Sequence, residues 1–284
     1  MTATKTAKKT AVLLMGKIVV DILAPALDKM KWPENESITQ LGVQAYQIGL
    51  DKVDEYQDNP ETLKSALRIF QSGDSRPYAF AGVAFLLVRV SREKDGSYYT
   101  KGLDQALSWL ERAQDTEPDL IDINMIEALI YIYNGRFEDA RTILDYLQSI
   151  DPSNYYVARA EAAYWMEKKT LDRTVFWYGQ AIGAADTVPR ALRIRSQLGD
   201  CYLDFGKNED AVRVFREAVH FSKENPWLWH KLSVAYYRQE DLQEALRCNK
   251  RALALKDFPE ARGMEAKLKK QLGTGSLTSR LFGR

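Results

Sequence analysis

Leu198-Gly199-Asp200-Cys201-Tyr202, continued at Gly206, Ala211, Phe215 and Ala218, decides the fold, because the chain writes the same pattern again 34 residues later. Leu198 becomes Leu232, Gly199 becomes Ser233, Tyr202 becomes Tyr236, Ala211 becomes Ala245 and Ala218 becomes Ala252. Backwards, the alanine column reads Ala245, Ala211, Thr174, Ala140 and Ala106, at spacings of 34, 37, 34 and 34. A second column seven residues on, Ala252, Ala218, Ala181, Leu147 and Ala113, keeps those spacings, which unrelated columns would not do. Small residues in fixed register let paired helices approach closely, and the aromatic column Tyr131, Trp165, Tyr202 and Tyr236 fills the space between pairs. A period near 34 residues marks a helical repeat array.

In this register the chain resembles the tetratricopeptide repeat family. The resemblance implies an all-α fold, a right-handed α-solenoid of stacked helix-turn-helix units with capping helices at both ends, in which each unit packs on its neighbours. Four regular units cover 121–154, 155–188, 192–225 and 226–259, with a three-residue insertion at 189–191. Gly135 and Gly206 supply inter-helix turns, where glycine adopts a conformation that other residues resist. The unit 155–188 departs from the pattern, with Lys169 at the turn and Thr174 in the alanine column.

Outward from this array the pattern weakens. Residues 37–120 read as degenerate hairpins, with Ser37 capping a helix over 38–56, and Asn59 and Pro60 starting the next. The second of these hairpins is interrupted by an insertion at 91–100 (SREKDGSYYT). Insertions in solenoids fall in loops on one face, so Tyr98 and Tyr99 are either a contact site or pack back on the following helix. Residues 1–10 are basic and expected to be mobile. Residues 11–31 form an apolar helix, with Pro25 as a kink or a join, that either caps the array or meets a membrane or partner. Lys17 and Asp21 interrupt its apolar run and argue against a signal peptide or a membrane span. Residues 260–272 are a polar capping helix, and 273–284 a flexible tail.

Net charge is +1 over 284 residues, which supplies no general field for nucleic acid. Basic residues collect at the two ends, leaving the middle acidic. The two cysteines, Cys201 and Cys248, have no metal-type spacing and fit a reducing, cytoplasmic setting. His220 and His230 are the only histidines. No phosphate loop, nucleophile elbow or zinc motif occurs, so neither catalysis, cofactor nor metal is expected.

By the same resemblance, function lies on the concave face built by the first helix of each unit. The groove-facing positions are Asp122, Met125, Leu129, Ile132 and Tyr133, then Tyr156, Arg159, Ala163, Met166 and Glu167. They continue as Arg193, Ser196, Asp200, Leu203 and Asp204, and end with Trp227, His230, Val234, Tyr237 and Arg238. Met125, Ile132 and Trp227 point to a groove that covers the apolar side of a partner peptide or helix, with Arg159, Arg193 and Arg238 fixing its polarity through carboxylates. The carboxylate clamp of the family's chaperone-binding members is absent, because its ninth positions are here Leu129, Ala163, Asp200 and Val234. The expected function is a non-catalytic scaffold or adaptor for a protein partner. The alternative is a membrane-peripheral assembly factor or chaperone, held by the N-terminal helix and the basic ends.

Overall fold

The computed structural model describes residues 16–56, 59–93, 95–117 and 120–282, with the backbone alone beyond residue 273. Among the described residues there are fourteen helices and no strand. They divide into two compact units, Met1–Asp151 and Pro152–Arg284. Residues 1–10, expected to be mobile, lie outside the described residues.

The first unit holds α1 (Gly16–Leu27), α2 (Gln40–Asp54), α3 (Pro60–Ser72), α4 (Arg76–Val90), α5 (Thr100–Gln114), α6 (Ile121–Tyr133) and α7 (Phe137–Ile150). Helices α2 and α3, α4 and α5, and α6 and α7 pair as hairpins. Helix α4 (RPYAFAGVAFLLVRV) is apolar around most of its circumference, as a helix without a solvent face must be. It touches α1, α2, α3, α5 and α6.

Local chemistry sets the ends of these helices, and corrects two expectations. The cap of α2 is Thr39, whose hydroxyl accepts from the Gly42 amide at 2.9 Å. Ser37 instead donates its own amide to Asn35 Oδ1, which takes it out of the helix start. Helix α1 ends at Leu27 and not at Lys31, its last carbonyls being closed by turns from Lys29 and Met30. Pro25 sits inside α1 without ending it. Asn59 caps α3 by accepting from the Glu61 amide at 3.1 Å.

The second unit holds α8 (Tyr155–Glu167), α9 (Leu171–Gly183), α10 (Val188–Asp204), α11 (Asn208–Phe221), α12 (Pro226–Arg238), α13 (Leu242–Leu255) and α14 (Pro259–Phe282). The insertion at 189–191 is absorbed by lengthening α10 to 17 residues, started by Thr187 with Pro189 in its first turn. Helix α14 runs on to Phe282 and does not stop at residue 272. Gly273 and Gly275 weaken a helix interior by ~1 kcal/mol each but do not break it, and no proline follows.

One turn closes four hairpins of the chain. Arg136, Thr170, Lys207 and Asp241 each donate a backbone amide to the carbonyl five residues back, at 2.8, 3.0, 2.8 and 3.0 Å. The acceptors are Tyr131, Trp165, Tyr202 and Tyr236, so the aromatic column also ends each first helix. The residue between must be left-handed: Gly135 at φ 74°, Lys169 at 54°, Gly206 at 71° and Glu240 at 67°. Glycine enters this region freely, whereas Lys169 and Glu240 do so at a cost.

Packing inside a hairpin explains why Gly199 and Ser233 share a register. A Cβ on Gly199 would lie 2.5 Å from the Phe215 ring. The position equivalent to Phe215 is Asn249, and there Ser233 fits, buried, donating its hydroxyl to the Ala245 carbonyl at 2.7 Å. Thr174 is likewise buried and donates to the Thr170 carbonyl at 2.8 Å, so the hydroxyl it brings to the alanine column is satisfied.

Candidate protein-binding face

The first-helix positions expected to line a groove meet different fates in the two units. On α6, Met125, Leu129 and Ile132 are 1%, 5% and 1% exposed. They are core residues of the first unit, because α4, α5 and α7 enclose α6. The expectation that they form an apolar groove wall is therefore corrected. Tyr133 is half-buried under the insertion: Tyr98 stacks on it at 4.0 Å with an angle of 12° between rings.

That insertion is a small closed loop. Arg92 bridges to Tyr98, Glu93 donates its amide to the Ser97 carbonyl and Tyr99 to the Ser91 carbonyl, each at 2.8 Å, with Gly96 turning at φ 90°. Burial pushes the Tyr98 phenol well above its ordinary pKa. The loop packs back on its own unit.

In the second unit the same positions stay within reach of solvent. Arg159, Ala163, Met166 and Glu167 on α8, Arg193, Ser196 and Asp200 on α10, and Val234 and Tyr237 on α12 are half-buried, while Asp204 and Arg238 are exposed. Tyr156 and Leu203 are buried, at 8% and 6% exposure. Tyr156 shares with Tyr155 the guanidinium of Arg190, which lies 5.4 and 5.6 Å from the two rings and pairs with Asp186.

Polar contacts join α10 to α12 along this face. Lys231 forms an ion pair with Asp200 and donates to Ser196 Oγ at 2.8 Å. Arg238 donates to the Leu203 carbonyl at 2.7 Å, and Asn208, at the start of α11, donates to the Arg238 carbonyl at 2.8 Å. Lys231 escaped the sequence reading because it lies one position past His230, outside the five positions carried over. Its signal was a lysine one helical step from Val234 and facing the aspartate of the preceding repeat.

Trp227 and His230 turn out to be structural. Trp227 packs on Phe258 with ring centres 4.1 Å apart, in a cluster completed by Ala252 and Ala261. His230 lies edge-on to Phe258 at 5.5 Å and its Nδ1 meets Asn249 Oδ1 at 3.3 Å. Asn249 donates its Nδ2 to the Ala261 carbonyl, so its Oδ1 accepts and Nδ1 of His230 carries the proton. Burial holds the His230 pKa below its ordinary value, outweighing the Asn249 bond. Tyr237 is covered by α14: Lys267 lies 4.2 Å from its ring centre and Gln271 donates to its hydroxyl at 3.0 Å.

The face left open between α10 and α12 is thus mainly polar, built on Arg193, Ser196, Asp200, Lys231 and Arg238 around Val234. Cys201 and Cys248 lie buried behind it as free thiols, pushed up mainly by burial to about 12 and about 11. Thiols held that high are poor nucleophiles at neutral pH.

Residues 202–268 match the tetratricopeptide repeat family. No curated protein matches the chain in sequence. In fold the chain is similar to PilF of Pseudomonas aeruginosa, at 15% identity over 73% of this chain and 92% of that one, with a TM-score of 0.52. It is also similar to a chain of the APC/C hetero-tetramer Cut9–Hcn1, at 13% identity over 80% of this chain and 46% of that one, with a TM-score of 0.55. The fold is that of a tetratricopeptide-type helical-repeat protein.

Proposed function

We propose that this chain is a non-catalytic protein-interaction scaffold whose second unit holds a segment of a partner protein against α10 and α12. The observation that supports this reading is the half-exposed polar row from Arg193 to Arg238. Its side chains are positioned by contacts between consecutive repeats, yet it is not sealed by packing as α6 is. A row of both charge signs suits a segment that carries both signs itself, fixed in register by pairing. The partner contact is accordingly polar, and the apolar groove expected from Met125, Ile132 and Trp227 gives way to it.

The expected membrane-peripheral role takes a narrower form. Helix α1 is docked on α4 and α5, so it is not a free anchor, and only its outer side is available to a surface.

Photo-crosslinking tests the scaffold reading. A crosslinker placed at Ser196 or at Val234 is expected to give one discrete partner adduct, lost when Arg193→Glu and Arg238→Glu are combined. The same adduct from a crosslinker at Phe176, exposed on the second helix of its hairpin, would show that the α10–α12 face has no privileged role.

A further inference from the structure

Helix α1 is attached to the first unit unlike its neighbours, and nothing in its attachment depends on α10 or α12. It shares no hairpin turn: residues 28–39, none of them helical, separate it from α2. Its sequence is also a poor helix. Ile18, Val19, Val20 and Ile22 are β-branched, and Pro25 has no N–H to give the Asp21 carbonyl. A helix of 12 residues is marginal alone even when built from good formers. Helix α1 is therefore helical because it is docked.

Its seat is a notch on α4 and α5. Val19, Val20, Ala24 and Leu27 are buried in the docked helix. A Cβ on Gly16 would lie 2.8 Å from the Val90 carbonyl oxygen, and one on Gly102 of α5 would lie 3.0 Å from the Val20 side chain. Two acids seven residues apart meet the cations of α5. Asp21 accepts from the Tyr99 hydroxyl at 3.3 Å and lies 3.8 Å from Lys101, while Asp28 pairs with Arg112 at 3.3 Å. These pairs are open to water, where they choose a partner more than they hold it.

The strap at 28–39 is fastened chiefly by Arg76, at the start of α4. Its amide donates to the Asn35 carbonyl at 2.8 Å, and its guanidinium donates to the Pro33 and Glu34 carbonyls at 3.1 and 2.7 Å and to the Glu36 carboxylate at 2.7 Å. Gln71 donates to the Lys31 carbonyl at 2.8 Å. Trp32 completes the strap by packing on Phe80 and Trp109, at 6.2 and 5.6 Å. A helix that folds only on its seat, tied by one polar latch, is a unit that opens at less cost than the core beneath it.

We propose that the notch on α4 and α5 is a helix-binding site that α1 fills from its own chain, and that release of the strap opens it to a partner helix of the same pattern. That pattern is apolar at the positions of Val19, Val20, Ala24 and Leu27, without bulk at Gly16, and acidic at two positions seven apart for Lys101 and Arg112. It is a helix laid in a groove, with the acids setting its direction.

Hydrogen exchange and a peptide test the proposal on the full chain. Amides of α1 are expected to exchange at least ~100-fold faster than those of α4, through opening of α1 and the strap alone. A labelled peptide of residues 16–39 is expected to bind an Arg76→Ala chain at least ~10-fold more tightly than the wild type, because the open form is more populated. Binding should strip the chain's own α1 of its protection. Val20→Asp in the peptide is expected to abolish binding, and Asp21→Lys with Asp28→Lys to weaken it about fivefold. If circular dichroism shows Arg76→Ala unfolded, Glu36→Ala with Gln71→Ala cuts the strap at the surface instead. Exchange of α1 no faster than that of α4, no binding of the peptide to a folded strap variant, or binding unaffected by Val20→Asp would overturn the proposal. So would a dimer of the strap variant in which α1 stays protected, which would give the notch to a second copy.

Discussion

Helix α6 in the first unit and α10 in the second occupy the same place in the repeat, yet one is core and the other is surface. Where α6 has Met125, Leu129 and Ile132, α10 has Ser196, Asp200 and Leu203. The first three are buried, and of the second three only Leu203 is. A position in a repeat therefore fixes the direction of a side chain but not what covers it. In the first unit the covering comes from outside the hairpin, in the form of α4, α5 and the Tyr98 loop. The open face of α10 meets α12 through the polar side chains of Lys231 and Arg238, and so keeps polar groups within reach of solvent.

The contrast is broken most directly by truncating one residue on each helix. Met125→Ala is expected to destabilise the first unit by roughly 2–5 kcal/mol, as for other buried large apolar residues. Asp200→Ala removes a partly exposed ion pair and is expected to cost less than about 1 kcal/mol. Chemical denaturation of the two variants checks this. Equal losses would mean that α6 and α10 are used alike.

A second comparison, inside the second unit, sharpens the role of register. Gly199→Ala puts a methyl group against the Phe215 ring and is expected to cost about 1–2 kcal/mol, overpacking offset in part by the helix propensity of alanine. Ser233→Ala, at the equivalent position opposite Asn249, removes a hydroxyl whose acceptor is a backbone carbonyl, and is expected to stay within about 0.5 kcal/mol of wild type. Thermal unfolding of both variants decides whether the glycine is there for closeness.

The part of the structure legible in the sequence is the part set locally. Gly135 and Gly206 marked turns because the left-handed residue lies within one hairpin, and the alanine columns marked helix contacts only a dozen or so residues apart. Asn59 before Pro60 was readable for the same reason. The groove was less legible because its exposure depends on distant segments. Nothing near Tyr133 announces Tyr98, and nothing near Trp227 announces that Phe258 takes up its ring. The start of α2 went astray over two residues, Ser37 and Thr39, both chemically able to cap, of which only Thr39 reaches a helical amide.

Turns give a smaller effect with a definite sign. Lys169→Gly and Glu240→Gly relieve non-glycine residues held at positive φ, and each is expected to stabilise the second unit by up to about 1 kcal/mol. Gly206→Ala, at the equivalent turn between them, is expected to destabilise by a similar amount. Differential scanning calorimetry of the three variants distinguishes them by direction. A gain from Gly206→Ala would show that the turn does not need its left-handed residue.

The smallest effect separates the open face of α12 from its packed face. His230 is held below its ordinary pKa of 6.5, first by burial, with Lys231 adding to the shift and Asn249 and Glu260 opposing it. The folded state thus binds a proton less readily at this site than the unfolded chain does. Above about pH 6.5 both states carry neutral imidazole, and the site adds no pH dependence. As pH falls below that value the unfolded chain takes up the proton first, so stability is lost until the folded pKa has been passed. The loss should be concentrated where His230 meets Asn249 and Phe258, loosening α14 from α12 while leaving the Lys231–Asp200 contact in place. Hydrogen exchange at pH 7.5 and 5.5 measures this directly, with His230→Gln as the control that cannot titrate. Faster exchange at pH 5.5 in α14 of the wild type but not of the variant is the expected result. Equal pH dependence in both would mean that carboxylates elsewhere carry it, and that the packed and open faces of α12 do not differ in their response to acid.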